Sequence, residues 1–229
     1  MKYNLTDSIT HTQIPVEIVY EDDAILVVNK SADTAFAFPY VNLLDSNTTG
    51  LAIIAKQPSF TSLLDQMILN KEVKWEYLAI VRDKYLPDMG IINAPIGPKE
   101  GSSTEHTIDF IHGKRAITQY QVLGRENGYA FVSLFLETQR THQIRLHMKY
   151  MKCPLVGDGL YNPNDCSYLS QLKAGSLDTR LVKRQALHSF RLEFLHPVTK
   201  KPLCFTQKLP DDMIDFLIQN MSFFYEEYR

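Results

Sequence analysis

Apolar residues recur along this chain at two spacings, and the switches between them predict its elements. In VEIVYEDDAILVVNK (16–30) two apolar stretches flank Glu21, Asp22 and Asp23, the pattern of a β-hairpin. LAIIA (51–55) is a short, continuous apolar run of the kind found in buried strands. Pro58 fits the first turn of a helix, after which Phe60, Leu63, Leu64, Met67 and Ile68 recur at helical spacing to about Lys71. VKWEYLAIV (73–81) returns to strand character. Asn127 and Gly128 separate TQYQVLGRE from YAFVSLFLE, the strongest short-range hairpin signal in the sequence. A further strand pair is predicted over 186–195 and 202–207, turned through 196–201. Pro210, Asp211 and Asp212 open a last helix whose acidic pair suits the positive end of the helix dipole. Its tail, Phe223, Phe224 and Tyr225, is expected to dock on the core. This order is strand-rich with few helices and contains no repeat, low-complexity tract or linker. It predicts an α+β fold, a mixed and mostly antiparallel sheet flanked by a few helices, with 1–15 as an N-terminal extension and 16–229 as a single domain.

QRTHQIRLH (139–147) follows the predicted strand 130–137. On a helix it sets His142, Arg145 and Lys149 three and four residues apart on one face, a basic stripe able to meet an anion. Ile144, Met148 and Met151 fall on a different face and suit packing against a sheet. For an amphipathic helix taken alone, a solvated basic face is the simpler reading.

Composition narrows the classes. At 229 residues and 45% hydrophobic content the chain can bury a sizeable core. No apolar run is long enough to span a bilayer and MKYNLTDSITHTQ lacks a signal-peptide pattern, so a cytoplasmic location without membrane association is expected. Cys153, Cys166 and Cys204 are odd in number and form no Cys-x-x-Cys pair, which argues for reduced thiols rather than a disulfide framework or cysteine zinc site. The net charge of −2 conceals an asymmetry: residues 140–208 hold 12 Lys and Arg against 4 Asp and Glu, and the remainder holds 12 against 22. Such a basic segment hints at a polyanionic partner.

In VNLLDSNTTGLAIIAK (41–56), Asp45 sits in a turn-rich segment directly before a buried strand, where an Asx turn would account for it. Taken in order, however, LDSNTTGLAIIAK, EYLAIV, LETQRTHQIRLHMKYMKCPLVGDGLY and ALHSFRLEFLHPVTKKPLCF resemble the RluA family of pseudouridine synthases, over about 16–209. The resemblance implies a pseudouridine-synthase-like catalytic domain that isomerises uridine in rRNA or tRNA, without metal or organic cofactor. By the same resemblance Asp45 is the catalytic aspartate, Tyr77 the tyrosine packed on the target base, Arg145 the arginine paired with the aspartate, and Leu187 the apolar residue closing the pocket. Arg140, Thr141, His142 and Lys149 are then substrate-binding candidates, Lys152 a phosphate-facing one, and Lys114, Arg115, Lys183 and Arg184 further RNA contacts. The partner is structured RNA, with no obligatory protein partner and a monomeric state.

The chain departs from the family pattern near Asp45. Asn42, Leu43, Leu44 and Asp45 stand where the family has His-Arg-Leu-Asp, Lys30 is followed by Ser31 rather than proline, and only fourteen residues separate Lys30 from Asp45. Gln139 replaces a common glycine. These departures define an alternative function, a catalytically impaired relative acting as an RNA-binding or RNA-folding module. A zinc hydrolase is disfavoured, because His142 and His147 are five residues apart and diverge on a helix. No Gly-x-Ser-x-Gly elbow or phosphate-binding glycine loop occurs.

Overall fold

The structure, a computed structural model, describes residues 2–6, 13–33, 44–162, 182–221 and 228. The chain forms two compact units, 1–76 with 188–208 and 77–187 with 209–229. Among the described residues strand pairing is mostly antiparallel and three helices are present, as an α+β reading requires.

In the first unit, strands β1 (Lys2–Thr6), β2 (Gln13–Glu21), β3 (Ile25–Lys30) and β4 (Thr49–Ala55) lie side by side in antiparallel order. The expected hairpin is therefore β2–β3, turned at 22–24. β11 (Leu187–Leu195) runs parallel to β4 at Thr49 and Gly50, and β12 (Pro202–Thr206) pairs antiparallel with β11. Every residue of β4 is buried, which explains its unbroken apolar sequence. Val16, Leu26, Val28, Ala52 and Ile54 form a core cluster, and Leu44, one residue before Asp45, packs against it. Gly50 adopts φ +106°, and a Cβ there would lie 2.2 Å from the Ser189 carbonyl oxygen. Only glycine lets β4 and β11 approach this closely behind the Asp45 loop. Helix α1 (Pro58–Leu69) starts at the predicted proline and buries Leu64 and Met67.

The second unit contains β5 (Lys74–Arg82, the strand from which Tyr77 onward belongs here), β6 (Met89–Asn93), β9 (Ile117–Glu126) and β10 (Tyr129–Leu136), in the order β5–β10–β9–β6. A small separate pair joins β7 (Ile96–Pro98) and β8 (His106–Ile108). The β9–β10 turn places Asn127 at φ 50° and Gly128 at φ 77°, the two positive values that a tight hairpin turn of this kind needs. Helix α2 (Gln143–Tyr150) packs on β8 and β9, and α3 (Asp211–Asn220) starts after Pro210 as its sequence predicts. The 223–225 tail and Cys166 lie outside the described residues, whereas Cys153 and Cys204 are free thiols. Among the described residues no helix is long and apolar enough to cross a membrane.

In the first unit the β2–β3 turn and the turn at 196–201 share one carboxylate. Asp22 Oδ1 accepts from the Ala24 and Ile25 N–H groups, and Oδ2 accepts from the Tyr20 hydroxyl. His196 Nε2 lies 2.7 Å from Asp22 Oδ2, while His196 Nδ1 accepts from the Val198 and Thr199 N–H groups, which assigns the ring proton to Nε2. Burial alone would raise the Asp22 pKa. The Ile25 N–H, the Tyr20 hydroxyl, the Ala24 N–H and His196 outweigh it and hold the carboxyl at about 2, below its ordinary 3.8. Because the folded value lies below the unfolded one, the stabilisation is complete above pH 3.8 and is lost as pH falls towards 2. Asp22→Asn should therefore cost roughly 1–3 kcal/mol in urea unfolding near neutral pH, and the gap to the parent should close across that acid window. A gap that persists unchanged at the acid end would contradict this assignment.

Candidate active site

The turn that carries Asp45 is built from below. The Thr48 N–H donates to the Asp45 carbonyl at 2.9 Å, closing a β-turn over 45–48 ahead of β4. Beneath it lies Lys30, the last residue of β3 and almost wholly buried. Its ammonium donates to the carbonyls of Ser31 (3.0 Å), Thr48 (2.9 Å) and Ser46. Three donors thus meet three backbone acceptors, two of them in the Asp45 turn, which satisfies a charge that burial would otherwise make costly. The Thr49 hydroxyl adds a second tie: His188 Nε2 lies 3.1 Å from the Gln207 carbonyl, so it carries the proton, and Nδ1 accepts from Thr49 at 2.9 Å. Asp45 itself is half-buried.

In the second unit, Tyr77 is buried on β5, on the face it shares with Trp75, Ala79 and Val81. Leu187 is buried at the start of β11, and its carbonyl accepts from Arg184 Nη1. The expected helix starts later than the sequence pattern suggests. The Gln143 N–H donates to the Arg140 carbonyl and closes a turn over 140–143, His142 adopts a left-handed conformation at φ 57°, and α2 begins at Gln143. The reason is the Gln143 side chain, whose Nε2 donates to the Ile117 carbonyl and the Thr118 hydroxyl and whose Oε1 accepts from Thr138. These bonds fix the first helical residue on β9.

Arg145 is not part of a solvated face; it is 6% exposed. Asp158 grips one edge of its guanidinium, with Nε–Oδ2 and Nη2–Oδ1 both at 2.8 Å. Asp158 Oδ1 also accepts the Leu160 and Tyr161 N–H groups. The Tyr161 ring then collects the expected stripe. Arg145 Cζ stands 4.9 Å and Lys149 Nζ 5.4 Å from its centroid, and the Tyr161 hydroxyl is 2.7 Å from His142 Nδ1. His142, Arg145 and Lys149 are therefore brought together around one aromatic face. Arg140 and Thr141 are exposed, and Arg140 Nε donates to the Arg115 carbonyl.

Arg184 corrects the sequence reading. It is buried rather than RNA-facing, because Asp212 holds it bidentately at 2.8 and 2.9 Å and the Gln185 and Leu187 carbonyls take Nη1. Lys183, Lys152, Lys114 and Arg115 are exposed. His147 is structural: Nε2 donates to the Ala94 carbonyl, Nδ1 accepts from Thr118, and burial holds its pKa below the ordinary histidine value despite the Ala94 bond. No cluster of three metal-ligating side chains occurs among the described residues. Lys30, Asp158 and Tyr161 were not singled out from the sequence. Their signals were a lone lysine ending an apolar strand and the GDGLY run after the helix.

Two consequences are measurable. Lys30→Met should cost about 1–3 kcal/mol and speed amide exchange at Thr48; unchanged protection there would remove Lys30 from the turn. Asp158→Ala leaves a buried guanidinium edge unmatched, so urea unfolding should show a loss of about 3–5 kcal/mol, far more than the exposed Asp88→Ala.

Known proteins resemble this chain over most of its length. A family model described as RNA pseudouridylate synthase matches residues 24–150. The chain is 34% identical to the ribosomal large subunit pseudouridine synthase D of Blochmanniella floridana, covering 93% of this chain and 75% of that protein. It is likewise 34% identical to the protein of that name from Vibrio cholerae, covering 90% and 71%. Among solved structures, human RNA pseudouridylate synthase domain containing 4 superposes with a TM-score of 0.66 at 22% identity, covering 89% of this chain and 92% of that one, which speaks for the fold. Human RNA pseudouridylate synthase domain containing 1 gives 0.64 at 25% identity, covering 86% and 83%.

Proposed function

The chain belongs to the RNA pseudouridylate synthase family, isomerases that convert uridine in RNA to pseudouridine, and on that premise we propose that Asp45 carries the reaction on a uridine of large-subunit ribosomal RNA. The substrate follows the relatives named for it. The isomerisation breaks the bond between C1′ and N1, turns the uracil and joins C1′ to C5, while a proton leaves C5 and one is gained at N1. Asp45 acts on the nucleoside as a carboxylate. Its turn is held by Lys30 and Leu44, which keeps the attacking group in place.

The observation that carries the reading is the family match over residues 24–150, which spans Asp45, Tyr77 and Arg145. Within the second unit, Asp158 holds Arg145 by the Nε–Nη2 edge of its guanidinium. By the family resemblance Arg145 is the arginine that serves Asp45 in the reaction. Tyr77 offers an aromatic face to the flipped uracil and a hydroxyl for proton movement at C5. Leu187 closes the pocket. Arg140, Thr141, His142 and Lys149 hold flanking phosphates. The protein works in the cytoplasm as a monomer without an obligatory protein partner.

Purified protein incubated with unmodified large-subunit rRNA transcript should form pseudouridine at a discrete uridine, read by chemical mapping. Asp45→Asn should lower kcat by at least about a thousandfold while the Kd for RNA stays within a few-fold. A parent protein that binds this RNA but forms no pseudouridine in it or in tRNA would sink the catalytic reading in favour of an RNA-binding module.

A further inference from the structure

We propose that the turn at 109–113, between β8 and β9, is an RNA-contacting wedge, with Phe110 and Ile111 meeting unstacked bases and the surrounding cations meeting phosphates. The inference rests on the RNA-modifying reading and extends it to where the RNA is gripped. Phe110 is 65% and Ile111 84% exposed, so neither contributes to the core of the second unit. A half-exposed tyrosine, Tyr150 at the end of α2, lies beside Phe110 with ring centroids 6.2 Å apart, which makes the apolar surface continuous rather than a single stray residue.

The tip is rigid. Asp109 Oδ1 accepts the Ile111 and His112 N–H groups at 2.9 and 3.0 Å, and the Gly113 N–H donates to the Asp109 carbonyl at 3.0 Å. A Cβ at Gly113 would stand 2.2 Å from that carbonyl oxygen, so the turn closes only with glycine. Reciprocal bonds between Ile96 and Lys114 then anchor it to β7, at 2.9 and 2.8 Å. An apolar tip held in this way loses little conformational freedom on binding.

Its rim is cationic. Lys114, Arg115, Arg140 and Lys149 are exposed, and Arg140 is tied to the Arg115 carbonyl, so the two guanidinium-bearing residues share one surface. The nearby carboxylate, Asp109, is spent on its own turn, and the His112 and Ile111 N–H groups hold its pKa below the ordinary value. Lys99 already pairs with Glu105. A partner that matches both features carries closely spaced negative charge and flat apolar faces, which is RNA with unstacked bases. An anionic membrane supplies the charge without the stacking faces, and an acidic protein surface lacks the regular charge spacing of a phosphate backbone.

The test uses the full chain and a short fluorescein-labelled RNA stem-loop with a uridine-containing loop, with Kd read by anisotropy over a salt series. Phe110→Ala with Ile111→Ala should weaken binding about tenfold and leave the salt slope unchanged. Phe110→Trp should bind like the parent, because it keeps the stacking face. Lys114→Ala with Arg115→Ala should instead flatten the log–log salt slope by about 1.4, the loss of two phosphate contacts on single-stranded RNA. All four side chains are exposed, so the melting temperature should stay that of the parent. No binding by the parent, or a Kd for the alanine pair within about twofold of the parent, overturns the wedge. Pseudouridine formation by the parent is measured in parallel, so tip-dependent binding without turnover removes the catalytic reading and leaves the wedge standing.

Discussion

A guanidinium removed from water has to be met by fixed acceptors, and the arrangement of the second unit follows from how Arg145 meets that demand. Breaking such a pair by removing one partner costs about 3–5 kcal/mol, so the two ends behave as a clamp. One end is α2, whose first six residues are all buried. The other is the turn at 155–161, where Asp158 also takes two backbone N–H groups and thereby sets Tyr161. Tyr161 belongs to the cluster of Ile96, Ala116 and Leu146, so the ion pair and the apolar packing fix the same two segments. With both fixed, His142 and Lys149 lie against the Tyr161 ring. The geometry of the basic stripe is thus a consequence of one buried ion pair.

The same constraint recurs at two other cations, and each time the acceptors are pieces of the candidate site. Lys30 is satisfied by carbonyls of the Asp45 turn, and Arg184 by Asp212 together with the Leu187 carbonyl. An apolar residue at position 30 would remove the ammonium that the Ser46 and Thr48 carbonyls share. Charge is used here for geometry rather than for net stability, since buried ion pairs seldom outdo a well-packed apolar alternative. Rigid positioning of a reacting group is what catalysis gains from such an arrangement.

Which features could be read from sequence follows from their range. Hairpins and helix starts depend on neighbours, so Asn127 with Gly128, Pro58 and Pro210 announced their elements correctly. The α2 start depends on Gln143 reaching Ile117 and Thr118 on another strand, and residue spacing carries no trace of that. Spacing put His142, Arg145 and Lys149 together but could not tell a solvated face from a buried one, because that rests on Asp158, thirteen residues away. Arg184 was misread for the same reason, its carboxylate lying 28 residues on. Asp45 and Tyr77 carried no local signal stronger than a turn and a core tyrosine; only the ordered family motifs picked them out. The short strands β6, β7 and β8 were missed because five or three residues with mixed burial show no period.

The charge asymmetry of the sequence also changes meaning once burial is known. Of the cations in 140–208, Arg145 and Arg184 are committed to Asp158 and Asp212, so a formal count overstates what a polyanion meets. Arg140, Lys149, Lys152 and Lys183 stay exposed, and Lys114 and Arg115 join them from outside that segment. Phosphate contacts of this kind set affinity and orientation but carry little information about which nucleotide is held. Selecting one uridine requires contact with a base, and a rigid apolar turn standing among exposed cations is a feature that a count of charges would never bring to notice.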